Sequence, residues 1–255
     1  MNDVRAKKYL GQHFLRDETI AENIVKALPA NTTKVLEIGP GMGVLTKYLR
    51  QNSDISLKVV EIDTESVAYL HEKYPELTVI SEDFLKMNLD TLFDGEFAVI
   101  GNFPYNISSQ ILFKVLDHRN AVPCVVGMFQ KEVAERIAAK SGNKIYGILS
   151  VLLQAFYDIE YLFTVHEHVF SPPPKVKSAV IRLTRNSRQH LNCDEKQFFA
   201  TVKTAFNQRR KTLRNALSAM FDKSLLTDPI FDKRAEQLTV EDFEQICLSL
   251  TSPTK

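Results

Sequence analysis

Between residues 17 and 140 the chain alternates short apolar runs with stretches of helical periodicity. A helix is expected from Asp17, a candidate N-cap, to Leu28, and another from Gln130 to Lys140. The apolar runs are Lys34–Ile38, Leu57–Ile62, Leu77–Ser81, Phe97–Ile100 and Val122–Met128. Strands that alternate with helices form parallel sheets. The pattern therefore predicts an α/β fold with a doubly wound, mostly parallel sheet.

The pattern changes after Tyr146. Gly147–Gln154 predicts a buried helix, and Ala155–Phe163 and Ser178–Thr184 predict two strands that close the sheet as an antiparallel hairpin. Helical periodicity alone remains in three later segments, Glu195–Asn207, Lys211–Phe221 and Thr239–Leu250. A chain of 255 residues can bury one full core and a small second one. We therefore predict a first domain of residues 1–186 and a small helical domain of residues 187–255.

Two classes of protein are disfavoured by the sequence. No segment approaches the ~20 apolar residues that span a bilayer, and no apolar stretch follows the basic N-terminus, so we expect a cytoplasmic protein. The three cysteines are far apart and form no CxxC pair, which argues against disulfides and zinc. His166 and His168 lack a third ligand nearby, so no metal is expected.

A glycine-rich turn, Gly39, Gly41 and Gly43, directly follows the first predicted strand and opens a helix. Glycines at such a place allow a tight turn and let a nucleotide approach the main-chain N–H groups. An NAD-binding loop would want a third small residue where Thr46 stands, in the frame that starts at Gly41. This mismatch weakens the NAD alternative without excluding it.

Two carboxylates end the next two predicted strands. Glu61 lies twenty residues beyond Gly41, where a carboxylate can accept hydrogen bonds from both ribose hydroxyls of a cofactor. Asp83 follows the third strand and could accept a hydrogen bond from the adenine amine of that cofactor. Both positions suit an adenosine-containing cofactor.

Asn102-Phe103-Pro104-Tyr105 follows the fourth strand and is expected at the same sheet edge as the glycines. The Asn102 side-chain oxygen and the Phe103 carbonyl could accept the two N–H bonds of an adenine amine and direct its lone pair at a sulfonium methyl group. Pro104 fixes the turn, and Tyr105 would stack on a base taken out of its stack. Phe170, before the prolines, is the candidate for the opposite face of that base.

Basic residues are concentrated in two runs, although the net charge is only +1. The segments 175–188 and 203–214 each contain five basic residues and no acid. Local patches of this kind suit an anionic partner, although either alone is more typical of a solvated face.

The chain closely resembles the KsgA/Dim family of ribosomal RNA adenine dimethyltransferases over nearly its whole length. The resemblance is carried by the segments 8–15 (KYLGQHFL), 36–43 (LEIGPGMG), 102–105 (NFPY), 130–136 (QKEVAER), 170–178 (FSPPPKVKS) and 206–213 (FNQRRKTL). It implies a Rossmann-like class I methyltransferase sheet that uses S-adenosylmethionine. The implied reaction puts two methyl groups on each of two adjacent adenosines in the 3′-terminal hairpin loop of small-subunit (16S) rRNA, late in subunit assembly.

The resemblance also assigns residues. It implies that the cofactor or its methyl-transfer position is contacted by His13, Leu15, Gly39, Glu61, Asp83 and Asn102, to which the glycine turn itself adds Gly41. Family members commonly have Asn where His13 stands and Leu where Phe103 stands, which leaves open whether the His13 side chain contacts the cofactor. RNA contact is expected from Arg209, Arg210, Lys211 and Arg214, with Arg210 and Arg214 on one helical face. The expected partner is the small ribosomal subunit, with no membrane or DNA, and we expect a monomer.

Three alternatives stay open at the level of sequence. An Erm-like enzyme would methylate an adenine of large-subunit rRNA with the same fold and pocket. A non-catalytic assembly factor could keep the fold, because a fold alone does not prove activity. A DNA adenine methyltransferase uses a related tetrapeptide, but no separate target-recognition domain is visible.

Overall fold

The computed structural model describes residues 4–251. The strands, in chain order, are β1 (Phe14–Leu15), β2 (Lys34–Ile38), β3 (Ser56–Val60), β4 (Thr78–Ile80), β5 (Ala98–Asn102), β6 (Cys124–Gln130), β7 (Tyr157–Val165), β8 (Phe170–Ser171) and β9 (Ser178–Arg185). The α-helices are α1 (Glu18–Lys26), α2 (Val44–Leu49), α3 (Thr64–Lys73), α4 (Ser108–Asp117), α5 (Lys131–Ala138), α6 (Ile148–Gln154), α7 (Glu195–Asn207), α8 (Leu213–Ala216) and α9 (Val240–Thr251). Short 3-10 helices include Lys8–Leu10 and Leu217–Ala219.

Seven strands form one sheet in the order β4-β3-β2-β5-β6-β9-β7. The neighbours from β4 to β6 are parallel, and β9 runs antiparallel to β6. The strand order reverses between β2 and β5, since β3 lies on one side of β2 and β5 on the other. Open α/β sheets bind ligands outside the carboxyl ends of the strands at such a point. The fold therefore brings the residues after β2 and β5 together.

The main core lies between this sheet and its helices. Helix α1 begins at Asp17, whose side chain accepts a hydrogen bond from the Ile20 N–H at 3.0 Å, and its apolar face buries Ala21 and Ile24 completely. These residues join a buried cluster with side chains from β2, β5 and β6. Burial of this amphipathic face, rather than helix propensity, stabilises a helix of nine residues.

The chain divides into two units, one with residues up to Ala134 and Ile159–Arg185, the other with Glu135–Asp158 and the residues from Asn186 onward. The second unit is mostly helical. Its core contains packed aromatic rings: the Phe206 centroid lies 6.1 Å from that of Tyr146, which packs edge-on, and 6.1 Å from that of Phe243, which is tilted. The domains of residues 1–186 and 187–255 stay a prediction, and the second unit also includes residues 135–158.

The predicted fold class is confirmed, and most predicted strands and helices are found within two residues of their predicted bounds. One helix is shorter than predicted: within Lys211–Phe221 only α8 is α-helical, because the chain tightens after Ala216 into a 3-10 helix, where the Met220 N–H donates to the Leu217 carbonyl at 2.9 Å. The antiparallel pair β1–β8 was not predicted. No helix in residues 4–251 is long and apolar enough to cross a membrane.

Candidate active site

A groove runs along the carboxyl ends of β2, β3 and β5. It consists of three adjoining depressions, all lined by Gly39. One end reaches Asp83, the middle is lined by Glu61 and Ile62, and the other end reaches Asn102 and Tyr105. The structure therefore brings the predicted glycine turn, both carboxylates and the tetrapeptide to one continuous surface.

The glycine turn forms the floor of this groove. Gly39 has φ 65°, and a Cβ at this position would have only the Pro104 Cδ, at 3.9 Å, within 4 Å, so a side chain there would extend into the groove. Gly41 has φ 55°, and a Cβ there would lie 2.8 Å from the Phe14 ring. Only glycine combines this backbone conformation with so close an approach. The turn is thus built to keep the groove open.

Glu61 lies at the centre of the groove and is 5% exposed. Its Oε1 accepts hydrogen bonds from the Ile62 and Asp63 N–H groups at 2.9 Å, and its Oε2 accepts one from the Gly41 N–H at 3.1 Å. Burial raises the pKa of Glu61 above its ordinary value, while these N–H groups act to lower it. The three hydrogen bonds fix the orientation of an acceptor that lines the groove.

Behind the turn, Glu37 is almost completely buried and accepts a hydrogen bond from the Thr46 hydroxyl at 2.6 Å. Burial raises the pKa of Glu37 from 4.5 to about 8, so this carboxyl is largely protonated at neutral pH. The proton is bound by the folded protein but not by the unfolded chain between these two pH values.

Glu37 therefore predicts a pH-dependent stability. Between pH 4.5 and about 8 the folded state holds the extra proton, so the free energy of unfolding should fall by roughly 1.4 kcal/mol per pH unit from this group. Glu37→Gln should remove that slope and make the variant the more stable form at pH 8. Denaturant unfolding across pH 5–9 measures this, with the exposed Glu76→Gln as control. Equal slopes in wild type and Glu37→Gln would contradict the prediction.

At the far end of the groove, Asp83 is partly buried and accepts a hydrogen bond from the Leu85 N–H at 3.0 Å. Ile62, which the sequence analysis did not single out, is 50% exposed and lines the groove between Glu61 and Asp83. An exposed aliphatic side chain beside two acceptors suits a flat, apolar ring with polar edges. The signal available in the sequence was its place directly after Glu61.

At the other end, the Asn102 amide is held in a single orientation. Its Nδ2 donates to the His13 carbonyl oxygen at 2.8 Å. In the described part of the chain, neither the Asn102 Oδ1 nor the Phe103 carbonyl oxygen accepts a hydrogen bond from a protein group. Two acceptors are thus left for a ligand, next to each other at the end of β5.

The side chains of the tetrapeptide are also fixed. The Phe103 ring is buried and packs edge-on against Phe129, with the ring centroids 5.1 Å apart, and it fills the space beside Gly101 and Gly127. The Tyr105 hydroxyl is 2.5 Å from the Ser178 Oγ. The His13 ring stacks on Tyr105, with centroids 5.4 Å apart. Ser178 and the His13 ring are contacts that sequence reasoning did not identify.

The N-terminal segment is attached to the groove by a buried carboxylate, Asp63. This side chain accepts hydrogen bonds from Lys7 and from the Gln12 Nε2, the latter at 3.2 Å, and from the Ser66 hydroxyl at 3.0 Å. Although burial acts to raise it, these donors hold the pKa of Asp63 below its usual range. Residues 10–14 form one wall of the groove. Because Lys7 and Gln12 both bind Asp63, these contacts hold that wall in position.

Two other predicted site residues lie deeper. Leu15 and Phe170 are each 4% exposed, are paired across β1 and β8, and belong to the main apolar cluster. Leu15 also lines the depression next to Asn102. In this structure the Phe170 ring does not offer a face to a ligand, and its role opposite Tyr105 stays a prediction.

The predicted RNA-binding residues differ in their surroundings. Arg214, on α8, forms an ion pair with Asp232 at 2.8 Å, and Arg209 contacts the Lys144 carbonyl and lies 3.9 Å from Glu236. Arg210 and Lys211 are exposed, in the turn between α7 and α8. The expectation that Arg210 and Arg214 share a helical face is therefore wrong, because α7 ends at Asn207 and α8 starts only at Leu213.

Comparison with known proteins shows the family to which this chain belongs. Residues 3–252 match the family model described as ribosomal RNA adenine dimethylase. The chain is 64% identical over 248 residues to the ribosomal RNA small subunit methyltransferase A of Cytophaga hutchinsonii, covering 95% of this chain and 96% of the relative. It is 60% identical to the protein of the same name from Flavobacterium johnsoniae, with 95% of each chain covered.

Solved structures show the same fold. A dimethyladenosine transferase from Plasmodium falciparum superimposes with a TM-score of 0.75 and 27% identity, over 92% of this chain and 96% of that one. The 23S rRNA methyltransferase ErmE has a TM-score of 0.68 and 24% identity, over 94% of this chain and 100% of its own. At that identity, the second likeness is a likeness of fold alone.

Proposed function

Because this chain belongs to the ribosomal RNA adenine dimethylase family, we propose that it dimethylates the N6 amines of two adjacent adenosines in the 3′-terminal hairpin loop of small-subunit rRNA, late in subunit assembly. The methyl donor is S-adenosylmethionine. The observation that carries the proposal is the pair of unused acceptors at the end of β5, the Asn102 Oδ1 and the Phe103 carbonyl. An aminopurine has two N–H bonds that match them.

The groove fits an elongated adenosyl cofactor. Gly39 leaves its floor open, Glu61 presents an oriented carboxylate to ribose hydroxyls, and Asp83 with Ile62 suits an adenine. Leu15 and the main chain at His13 and Gly41 line the part nearest Asn102. When bound, S-adenosylmethionine supplies an electrophilic methyl group on a sulfonium sulfur.

The protein's own contribution is to activate a weak nucleophile. The lone pair of an adenine amine is delocalised into the ring, so the nitrogen must become pyramidal before it can accept a methyl group. In the first transfer the Asn102 Oδ1 and the Phe103 carbonyl accept hydrogen bonds from its two N–H groups and favour that geometry, and in the second transfer the methylated amine has one N–H left for one of the two acceptors. The orientation is set in advance, since the Asn102 Nδ2 is held by His13. Positioning and fixed dipoles of this kind reduce the reorganisation needed at the moment of reaction.

Tyr105 supports the base. Its ring is fixed through the hydroxyl contact with Ser178. Tyr105 directly follows Pro104, and both residues line the groove. A target base must leave its stack to reach this position, and an aromatic face offsets roughly 1–3 kcal/mol of that cost. Phe170 is the second aromatic residue proposed for the site, on the basis of its place before the proline run.

The choice of substrate rests on the relatives. The two relatives described above are named as small-subunit enzymes and are at least 60% identical to this chain, whereas the likeness to ErmE at 24% shows the fold only. We therefore favour the small subunit over the large one. We propose that the protein acts as a monomer in the cytoplasm, where its substrate is assembled.

The proposal is tested by mapping the label from labelled S-adenosylmethionine after incubation with undermethylated small subunits, naked small-subunit rRNA or large subunits. Label on two adjacent adenosines of the 3′-terminal hairpin of the small-subunit rRNA is the expected result. Label confined to large subunits would overturn the substrate, and cofactor binding without transfer to any of them would indicate an assembly factor.

The exposed pair Arg210 and Lys211 should contact RNA phosphates. Replacing both by Gln should weaken binding of small-subunit RNA and reduce the slope of log Kd against log salt by about 1–2, because two phosphate contacts are lost. Cofactor affinity should not change. The matched control removes two exposed charges elsewhere, Lys26 and Lys86, and should leave the slope as in wild type. An unchanged slope in the first variant would remove this pair from the RNA interface.

A further inference from the structure

We infer that Lys114 is a positioning residue for cofactor recognition, because it holds the turn that begins at Asp83 in the conformation that presents the Asp83 carboxylate to the groove. This inference rests on the proposed role of Asp83 as the acceptor for the adenine amine of S-adenosylmethionine. It extends that role to a side chain on α4 that is not among the residues lining the three depressions. Lys114 thus acts on the cofactor only through Asp83.

Asp83 lies in a long segment without helix or strand, residues 81–97, between β4 and β5. Since no regular hydrogen-bonded ladder holds such a segment, its conformation depends on individual contacts. Lysine side chains from the surrounding elements bind its carbonyl groups: Lys34 binds that of Asp94, Lys58 that of Leu92, and Lys114 those of Phe84 and Met87. Of these, Lys114 is the one that binds next to Asp83.

The turn itself is a single one with helical hydrogen bonding. The Asp83 carbonyl accepts a hydrogen bond from the Met87 N–H at 3.2 Å, and the Asp83 side chain accepts one from the Leu85 N–H at 3.0 Å. A helical turn leaves the carbonyl groups at its end without partners inside it. The Lys114 Nζ donates to two of them, that of Phe84 at 2.7 Å and that of Met87. A cation at this end also suits the dipole of the turn.

The Lys114 ammonium is partly withdrawn from water. It lies over the Phe84 ring, 5.2 Å from its centroid. Burial lowers the pKa of Lys114, while the negative charge of Asp83 acts to raise it, so the cation and the carboxylate are close enough to interact. A partly buried cation is destabilised when its acceptors move away. Lys114 therefore favours the one conformation of the turn in which both carbonyls face it.

Lys86 is the competing candidate, since its Nζ lies 3.9 Å from the Asp83 Oδ2. Its side chain is 85% exposed, and an exposed ion pair at that distance contributes little. Lys86 also belongs to the turn and cannot join it to another element. Lys114 does so, because it extends from α4, a helix that is buried along one face.

The test uses two ligands that differ at one position of the base. S-adenosylhomocysteine offers an amine to the Asp83 carboxylate, whereas S-inosylhomocysteine offers a carbonyl oxygen, which the carboxylate repels. In Lys114→Met the calorimetric Kd for the adenosyl ligand should rise roughly 10-fold and that for the inosyl ligand should change little. Lys114→Arg keeps a cation with several donors and should retain most of the affinity.

A double-mutant cycle and a matched control separate positioning from general stability. In an Asp83→Ala background, Lys114→Met should change the Kd for S-adenosylhomocysteine by less than about 2-fold, because the coupling runs through the missing carboxylate. The control is Lys58→Met. Lys58 binds a carbonyl of the same segment and lies 4.7 Å from the centroid of the Phe93 ring, away from Asp83. Its loss should lower Tm about as much as that of Lys114 and leave both Kd values as in wild type.

The other outcomes overturn the inference. Equal losses for the two ligands in Lys114→Met, or an undiminished loss in the Asp83→Ala background, would make Lys114 a purely structural residue. Wild type that binds both ligands equally well would remove the role of Asp83, and the inference with it. If wild type bound no S-adenosylmethionine, the proposed function would fail as well, whereas normal binding by both wild type and Lys114→Met would overturn the inference alone.

Discussion

The Asn102→Ala variant is expected to lose methyl transfer, with kcat reduced by roughly 10²–10³-fold or more, and to show a smaller loss of affinity for S-adenosylmethionine. The reason is that the substitution removes one of the two acceptors for the adenine amine without touching Glu61 or the glycine turn. Single-turnover transfer to undermethylated small subunits and calorimetric titration with cofactor measure the two quantities separately.

Two further variants make this prediction specific. Asn102→Asp keeps the shape but has no N–H to donate to the His13 carbonyl, so it should also be inactive, because the acceptor is no longer held in place. Asn52→Ala, on the surface after α2, should behave as wild type. Turnover retained by Asn102→Ala would refute the role given to this amide.

The second large effect is expected at Glu61, where Gln should lower cofactor affinity by roughly 100-fold. In Glu61→Gln one side-chain oxygen is replaced by an NH₂ group, which must face N–H groups that now have no acceptor, and each such loss costs about 1–3 kcal/mol. The ribose hydroxyls would also lose one of the two oxygens that accept their hydrogen bonds. The dissociation constant for S-adenosylmethionine is the direct measurement.

The control for Glu61 is Glu72→Gln, an exposed carboxylate on α3 that does not line the groove. It should bind cofactor like wild type. The far-ultraviolet circular dichroism of Glu61→Gln should match that of wild type, because the Glu61 side chain lines the groove and is not part of the hydrogen-bonded sheet. Unchanged cofactor affinity in Glu61→Gln would show that the ribose is held elsewhere.

The sheet was predictable because most of its strands are short apolar runs bounded by turn residues, a pattern that is visible in the sequence. β2 has the predicted bounds Lys34–Ile38, since a run of five residues between turn signals is too short for a typical helix and favours a buried strand. The pair β1–β8 was not predictable: each strand has two residues, too few for any period, and they are brought together from positions 14 and 170 by tertiary packing. The 3-10 helix Leu217–Ala219, which replaces the end of the predicted helix Lys211–Phe221, is likewise too short to show a period.

The site divides in the same way. Gly39, Glu61, Asp83 and Asn102 could be placed at one edge because parallel strands carry their carboxyl ends to the same side. The sequence could not show which side chains face the groove and which are buried in the core. An aromatic before prolines predicts contact, yet Phe170 is buried among apolar residues, whereas His13 reaches the surface of the groove. Contacts such as Asp63 with Lys7 depend on the path of the N-terminal segment.

The short pair β1–β8 has a practical consequence for exchange of parts between relatives. It joins the segment that carries His13 to the segment that leads into the prolines, so neither can be optimised alone. A hybrid that takes residues 7–15 from one enzyme and residues 170–178 from another would combine two segments whose contacts evolved with different partners. Hybrids should therefore work when both segments are transplanted together, and inheritance of the two segments should be correlated across the family.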